Sequence, residues 1–207
     1  MSSISIIGTG DMARTIGTLA IAGGNTVEIM GRDQSKAVEL AKALGGGTTT
    51  GEFGAVPAGD IVILAVLYTS AAQVVSQYGD ALAGKVIVDI TNPFTSAADG
   101  LITRDGTSAA REIADAAPAS ASVVKAFNAV FRKVLAQGRP LDVFLAGDDA
   151  HAKAGVEAFI ESLGLRPMDV GGLKMARWLE GTGLVMVGLA RHAVGNIDFA
   201  LAVTPAG

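Results

Sequence analysis

A glycine-rich segment near the start of the chain constrains the fold more than any other feature. Residues 8–13 (GTGDMA) follow an apolar run typical of a buried strand and open an apolar segment with helical spacing. Gly8 permits a tight turn, Gly10 leaves room for a pyrophosphate against the backbone, and Ala13 lets the helix lie close to the sheet. Phosphates would then lie at a helix N-terminus, where free N–H groups favour anions. The segment therefore predicts a dinucleotide-binding turn.

Short β-branched runs alternate with longer alanine-rich segments along the rest of the chain. The predicted strands cover residues 4–7, 26–30, 60–66, 85–90, 122–127, 142–146 and 165–169. The predicted helices cover residues 12–22, 34–44, 70–78, 108–117 and 150–163. This alternation predicts an α/β fold with a Rossmann-type, doubly wound and mainly parallel sheet. We expect a dinucleotide-binding domain over residues 1–170 and a C-terminal arm over residues 171–207, with one long helix from residue 173 to about residue 203.

Composition narrows the functions that such a domain can have. Half of the 207 residues are hydrophobic, which suits a folded domain with its own core. The net charge of −4 disfavours a nucleic-acid partner. There is no cysteine, and His151 and His192 are the only histidines, so we predict no metal site and a cytoplasmic location. No apolar run reaches the roughly 20 residues that a membrane span needs, so we expect no membrane partner.

The end of the second predicted strand bears on the choice between NAD and NADP. Arg32 and Lys36 could bind the 2′-phosphate of NADP, and an arginine could do so through two hydrogen bonds. Asp33 is the rival, because a carboxylate in this region can bind the free ribose of NAD. Asp33 also stands where the N-cap of the next helix belongs, and we favour that role and NADP(H).

Several segments in this order resemble the NADP oxidoreductase, coenzyme F420-dependent family. They are IIGTGDMA, GRDQSKA, TNP after VIVDI, VVKAFN, and the segment over residues 164–171. The resemblance covers nearly the whole chain. It implies a Rossmann domain that binds NADP(H) and transfers hydride between the nicotinamide and a small redox substrate, either the deazaflavin F420 or a flavin-like acceptor.

The resemblance also implies roles for individual residues. Thr9, Arg32 and Lys36 match the family's ligands of the 2′-phosphate, whereas Gly31 replaces a serine. Asn128 and Val130 fall where the family has a histidine and an isoleucine beside the acceptor ring. The predicted cofactor-binding residues are Gly8, Thr9, Gly10, Asp11, Met12, Ala13, Gly31, Arg32, Lys36, Ala65, Val66, Leu67, Asn92 and Pro93. The predicted substrate-contacting residues are Asn92, Phe94, Asn128 and Val130.

Hydride transfer between two rings needs no protein acid or base, so no catalytic residue is assigned with certainty. Lys125 and Asn128 are the candidates. Lys125 ends an apolar strand, and we favour a snorkelling or phosphate-binding lysine over a catalytic acid. A catalytic Lys125 would fit a small 3-hydroxyacid or imine-type reductase, although little chain follows Asp169 to build that class's helical domain. A non-catalytic, NADPH-binding redox sensor is the third hypothesis.

The C-terminal segment carries an apolar stripe at helical spacing. Its members are Ala176, Leu179, Gly183, Met186, Ala190 and Val194. Gly181, Gly188 and Gly195 would let another helix approach closely. This pattern predicts a homodimer contact, with folding of the helix over its own sheet as the alternative.

Overall fold

A computed structural model describes residues 1–204, in which strands and helices alternate. The strands are β1 (Ser3–Ile7), β2 (Thr26–Met30), β3 (Thr49–Gly51), β4 (Ile61–Leu64), β5 (Val86–Asp89), β6 (Ser122–Ala126), β7 (Asp142–Gly147) and β8 (Arg166–Asp169). The helices are α1 (Asp11–Ala22), α2 (Gln34–Leu44), α3 (Tyr68–Tyr78), α4 (Ala109–Ala116), α5 (Arg132–Leu135), α6 (Ala150–Ser162) and α7 (Ala176–Leu189). Short 3₁₀ turns cover Gly79–Leu82 and Leu173–Met175.

The strands form one sheet in the order β3-β2-β1-β4-β5-β6-β7-β8. Every neighbouring pair is parallel except β6 and β7. The chain builds outward from β1 to β3, then crosses back to place β4 on the other side of β1. The predicted Rossmann-type, mainly parallel sheet is therefore confirmed. Ligands of such sheets bind where the order reverses, beyond the carboxyl ends of β1 and β4.

Both faces of the central strands are covered, which is why their sequences are continuously apolar. On one face Ile6 and Ile63 pack in a cluster with Ile16 of α1 and Phe159 of α6. On the other face Leu64 belongs to a second cluster, with residues from α3, α4 and the start of α7. The site at the strand ends is thus held by two cores rather than one.

Side-chain caps fix the starts of three of the helices that flank the sheet. The Asp33 carboxylate accepts hydrogen bonds from the backbone N–H groups of Ser35 and Lys36, so it is the N-cap of α2. Ser108 caps α4 and Asp149 caps α6 in the same way. Each cap satisfies backbone donors that a helix start leaves free. The predicted N-cap role of Asp33 is confirmed.

Two short elements were not predicted. β3 pairs with β2 at the edge of the sheet and is only three residues long. α5 is a single turn of four residues after β6. Neither is long enough to show a period of apolar residues, so both depend on tertiary contacts.

The prediction of one long C-terminal helix is wrong. α7 ends at Leu189, a π-helical turn covers Ala190–Val194, and Gly195 is left-handed with φ 76°. A left-handed glycine is a common end of a helix. The chain then runs back over the domain. The ring of Phe199 packs edge-on against Phe131 with 5.4 Å between ring centroids. No helix within residues 1–204 is long and apolar enough to cross a membrane.

The predicted apolar stripe of α7 packs on its own domain. Ala176, Leu179, Gly183 and Met186 are buried, whereas Val194 is exposed. The stripe therefore follows the alternative prediction, in which the helix folds over its own sheet. The division of the chain at residue 170 stays a prediction.

Asp142 ties the returning segment to the sheet. Its carboxylate accepts from Arg166 at 2.6 and 2.7 Å and from the Val203 backbone N–H at 2.7 Å. These bonds, led by the one from the Arg166 side chain, hold the pKa of Asp142 below its ordinary value of 3.8.

Replacement of Asp142 by Asn should weaken the fold and make it less sensitive to acid. A depressed carboxyl pKa contributes stability above the unfolded pKa, and that contribution is lost as the pH falls through the folded pKa. Urea unfolding at pH 7 and pH 3 measures the difference. The wild type should lose more free energy of unfolding between the two pH values than Asp142→Asn. An equal loss in both proteins would contradict this role, and Asp80→Asn on the exposed surface is the control.

Candidate cofactor and substrate site

A cleft of about 650 Å³ opens beyond the carboxyl ends of β1 and β4. Twelve of the predicted cofactor-binding residues line it, namely Gly8, Thr9, Gly10, Asp11, Met12, Gly31, Arg32, Lys36, Ala65, Val66, Leu67 and Asn92. Ala13 and Pro93 do not. Ala13 is fully buried on the side of α1 that faces the sheet, where it provides the close packing expected of it. Pro93 is buried in the loop after β5, where its carbonyl accepts from Ile102 N–H.

The Gly8 turn brings three strands together with almost no spare room. Gly8 has φ +132°, a conformation that side chains rarely adopt. A Cβ atom there would lie 2.2 Å from the carbonyl oxygen of Ala65, at the end of β4. The Gly8 N–H donates to the Met30 carbonyl at 2.8 Å. A larger residue at position 8 would therefore separate β1 from β4.

Gly10 has free space around its Cα atom, whereas Gly8 has none. It is the N-cap of α1 and makes no side-chain cap, so the first N–H groups of the helix are not capped by a side chain. A Cβ atom at Gly10 would meet no protein atom within 4 Å, and the residue lines the cleft. The free space and the helix dipole together suit a diphosphate.

The far end of the cleft is basic. Arg32 and Lys36 are exposed and line the cleft beside Thr9. Lys36 lies 3.7 Å from the Asp33 carboxylate, and a surface pair of this kind contributes little. The Ser35 hydroxyl and the Lys36 N–H lower the pKa of Asp33. Asp33 also lines this part of the cleft.

Gly31 is a tight position even though it has no side chain. A Cβ atom there would lie 2.9 Å from the methyl carbon Cγ2 of Thr9. A serine at position 31 would therefore require the Thr9 side chain to shift.

The cleft also contains residues that the sequence did not reveal. They are Ile7, Phe53, Ser70, Val74 and Ile90. Phe53 comes from the loop after β3, and its ring packs edge-on against Tyr78 at 5.1 Å. Phe53 could have been placed in the cleft from the sequence only if β3 had been predicted.

Tyr68 closes one side of the cleft. Its hydroxyl donates to Glu112 at 2.8 Å. Burial and the neighbouring Glu112 carboxylate raise the pKa of Tyr68 to about 12. The phenol therefore stays protonated at neutral pH and serves as a hydrogen-bond donor.

A second cavity of about 300 Å³ adjoins the first. Its walls are mainly apolar, and the predicted substrate residues Asn92, Phe94, Asn128 and Val130 all line it. The remaining lining residues are Met12, Ile90, Phe127, Phe131, Arg132, Gly183, Met186 and Val187. Met12, Ile90 and Asn92 line both cavities, so the two spaces meet at these residues.

Asn92 and Asn128 bind each other across this junction. Asn92 Nδ2 donates to the Asn128 carbonyl at 2.8 Å, and Asn128 Nδ2 donates to Asn92 Oδ1 at 3.0 Å. Asn128 Nδ2 also donates to the Leu179 carbonyl of α7 at 2.9 Å. The two acceptors fix the orientation of the Asn128 amide, and its Oδ1 has no partner among the described residues.

The Lys125 side chain lies inside the protein, not at the surface or beside a phosphate as predicted. Its side chain is fully buried and forms ion pairs with Asp89 and Glu180 at 2.7 and 3.0 Å. The snorkelling or phosphate-binding role is therefore wrong, because the ammonium reaches neither solvent nor either cavity. Among residues 1–204, no group of His, Cys, Asp and Glu could hold a metal ion.

The comparisons with known proteins agree with this geometry. The family model "NADP oxidoreductase coenzyme F420-dependent" matches residues 3–93. The F420-dependent NADP reductase of Methanocaldococcus jannaschii is 30% identical over 201 residues, covering 88% of this chain and 89% of that protein. Metalloreductase STEAP3 of Rattus norvegicus is 32% identical over 185 residues, covering 87% of this chain. This chain spans only 36% of the length of the rat protein.

Solved structures show the same fold. A candidate F420-dependent NADP reductase from Arthrobacter sp. FB24 has a TM-score of 0.86 and 26% identity, covering 99% of this chain and 100% of that chain. An imine reductase of Streptomyces aurantiacus shares the fold with a TM-score of 0.66 and 18% identity, covering 91% of this chain and 62% of the other.

The fold and the comparisons together identify a Rossmann-type protein of the NADP-dependent oxidoreductase class. The near full-length match to the Methanocaldococcus reductase shows that the chain belongs to the NADP oxidoreductase, coenzyme F420-dependent family. The family resemblance inferred from the sequence is confirmed.

The two glycines of the turn should respond differently to alanine. Gly8→Ala should cost on the order of 3 kcal/mol of stability, because the methyl meets the Ala65 carbonyl and the backbone is strained. Gly10→Ala should leave the fold intact and weaken NADPH binding at least about tenfold, equivalent to about 1.4 kcal/mol. Thermal unfolding and NADPH titration separate the two effects. Unchanged NADPH affinity in a folded Gly10→Ala variant would contradict diphosphate binding at this turn.

Proposed function

We propose that the protein binds NADP(H) in the first cavity and transfers hydride between the nicotinamide and F420 or a flavin-like acceptor in the second. The observation that carries the proposal is the junction of the two cavities at Met12, Ile90 and Asn92. One cavity offers uncapped helix N–H groups and two cations, whereas the other has mainly apolar walls. The first suits a phosphorylated dinucleotide and the second suits a flat heterocycle.

The residues of the first cavity would bind and orient the cofactor. The N–H groups at the start of α1 would bind the diphosphate, and Thr9, Arg32 and Lys36 would bind the 2′-phosphate. When bound, NADPH supplies the hydride and the acceptor ring receives it. Phe94, Val130 and Met186 would exclude water from the space between the two rings.

Among the described residues, no general acid lines the second cavity, and this supports ring-to-ring transfer. Arg132 is the only ionisable residue among the described residues that line the second cavity, and arginine does not release its proton. A 3-hydroxyacid or imine-type reductase needs an acid to protonate its product, and the buried Lys125 does not reach the cavity. Asn128, which lines the second cavity, would lie beside the acceptor.

A panel of acceptors tests the reaction. NADPH oxidation is followed with F420, FMN and FAD under anaerobic conditions, and with a cyclic imine and a 3-oxoacid as the rival substrates. Turnover with a deazaflavin or flavin supports the proposal. Turnover with the imine or the oxoacid alone would replace it with the rival reductase. Tight NADPH binding without turnover on any acceptor would identify a redox sensor.

Arg32 and Lys36, at the basic end of the cleft, give the preference for NADP. Arg32→Ala should raise the KM for NADPH about 10- to 100-fold, because hydrogen bonds to a charged group contribute about 1.5–3 kcal/mol. The KM for NADH should change little, since NADH has no 2′-phosphate. Steady-state kinetics with both coenzymes provide the measurement, and Arg14→Ala, on the exposed side of α1, is the control. Equal effects on both coenzymes would argue against the phosphate role.

We also propose a homodimer, formed by the face of α7 that the domain leaves uncovered. Trp178 and Val185 are 66% and 58% exposed, and a Cβ atom at Gly181 or Gly188 would meet nothing within 4 Å. These residues share one side of the helix and would let a second copy of α7 approach. A cytoplasmic location stays a prediction of the sequence.

Val185→Glu should shift the protein toward the monomer in sedimentation equilibrium, because the carboxylate would be buried in the contact. Glu161→Lys, at an exposed position of α6, is the control. A wild-type protein that is monomeric at all concentrations would rule out the dimer.

A further inference from the structure

Three charged side chains with no access to solvent lie behind the junction of the two cavities. Asp89 ends β5, Lys125 lies near the end of β6, and Glu180 is on α7, and each side chain is 0% exposed. Lys125 Nζ lies 2.7 Å from Asp89 Oδ2 and 3.0 Å from Glu180 Oε1. Charges removed from water in this way persist only when they are paired and hydrogen-bonded. We call these three residues the buried charge cluster.

The buried charge cluster holds Thr91 by both of its backbone polar groups. Lys125 Nζ donates to the Thr91 carbonyl at 2.6 Å. The Thr91 N–H donates to Asp89 Oδ1 at 2.8 Å. Thr91 lines the first cavity, and the next residue, Asn92, lines both. The cluster therefore fixes the backbone immediately before the asparagine at the junction.

Glu180 links the same cluster to two helices. Its carboxylate faces the N–H groups of Ala109 and Ala110, in the first turn of α4, at 3.3 and 3.4 Å. These amides help to offset the second negative charge of the cluster. The preceding residue on α7, Leu179, accepts from Asn128 through its carbonyl. Adjacent residues of α7 thus contact the cluster and the asparagine pair.

Lys125 has no hydrogen atom left for a substrate. An ammonium has three donors, and they face Asp89, Glu180 and the Thr91 carbonyl. Lys125 can therefore act on the reaction only through the residues that it holds.

We propose that Lys125, with Asp89 and Glu180, is a positioning residue for hydride transfer. It keeps Thr91 and Asn92 in place, so that Asn92 and Asn128 hold the nicotinamide and the acceptor ring in register. The inference rests on the proposed function. It predicts that loss of the cluster lowers the rate of transfer while the distant phosphate-binding residues keep their affinity for the coenzyme.

Glu180→Gln and Lys125→Met test the positioning role. Glu180→Gln keeps the size of the side chain but removes one of the two charges that hold the Lys125 ammonium, so it should loosen the contact between Lys125 and Thr91. It decides the test if Lys125→Met does not fold. We expect kcat with the acceptor to fall up to about 100-fold, the scale of an ångström-sized misplacement. The KM for NADPH and the Kd for 2′,5′-ADP should change less than about threefold. Lys153→Met removes the Lys153–Asp169 pair, outside both cavities, and is the matched control.

Two results would overturn the inference. One is a folded Glu180→Gln variant with unchanged kcat. The other is a loss of kcat matched by an equal loss of 2′,5′-ADP affinity, which would indicate general loosening of the domain.

The fluorescence of bound NADPH reports on the nicotinamide without any acceptor. If the wild type turns over no acceptor, the proposed function fails, and this signal still tests the positioning role. The wild type should enhance the fluorescence, and Glu180→Gln should reduce the enhancement at an equal Kd. An identical enhancement in both proteins would refute the role of the cluster.

Discussion

The approach of Gly8 to the end of β4 is the contact on which the site depends. The missing side chain at Gly8 lets β1 and β4 lie side by side up to their last residues. The crevice of the sheet opens beyond that contact, and α1 begins there with its amides free. The apolar strands supply the stability of the fold. The contact between Gly8 and the end of β4 determines where a phosphate can approach the backbone.

The parts of the fold that depend on neighbouring residues could be predicted from the sequence. β2 and α2 begin and end where their apolar spacing, the Asp33 cap and the glycines after Leu44 indicate. Residues 8–12 of the turn line the cleft for the same reason, since a strand, two glycines and a helix follow one another directly. Local patterns of this kind carry most of their information within one or two helical turns.

The parts of the structure that depend on residues distant in the sequence could not be predicted. Burial of Lys125 requires Asp89 and Glu180, which come from other strands and helices far along the chain. Phe53 enters the cleft only because β3 adds to the edge of the sheet. The apolar stripe of α7 looked like a subunit contact because nothing in the sequence shows that the domain itself covers it. Tertiary packing decided each of these three cases.

The crowding between Gly31 and the methyl group of Thr9 bears on how coenzyme preference can be changed by protein engineering. A Cβ atom of any residue at position 31 would meet this methyl group, so libraries that randomise the loop after β2 alone would discard variants for reasons unrelated to coenzyme affinity. Joint randomisation of both positions would let the side chains repack. The loops after β1 and β2 are thus coupled at this contact, and a side chain at position 31 requires a change at position 9.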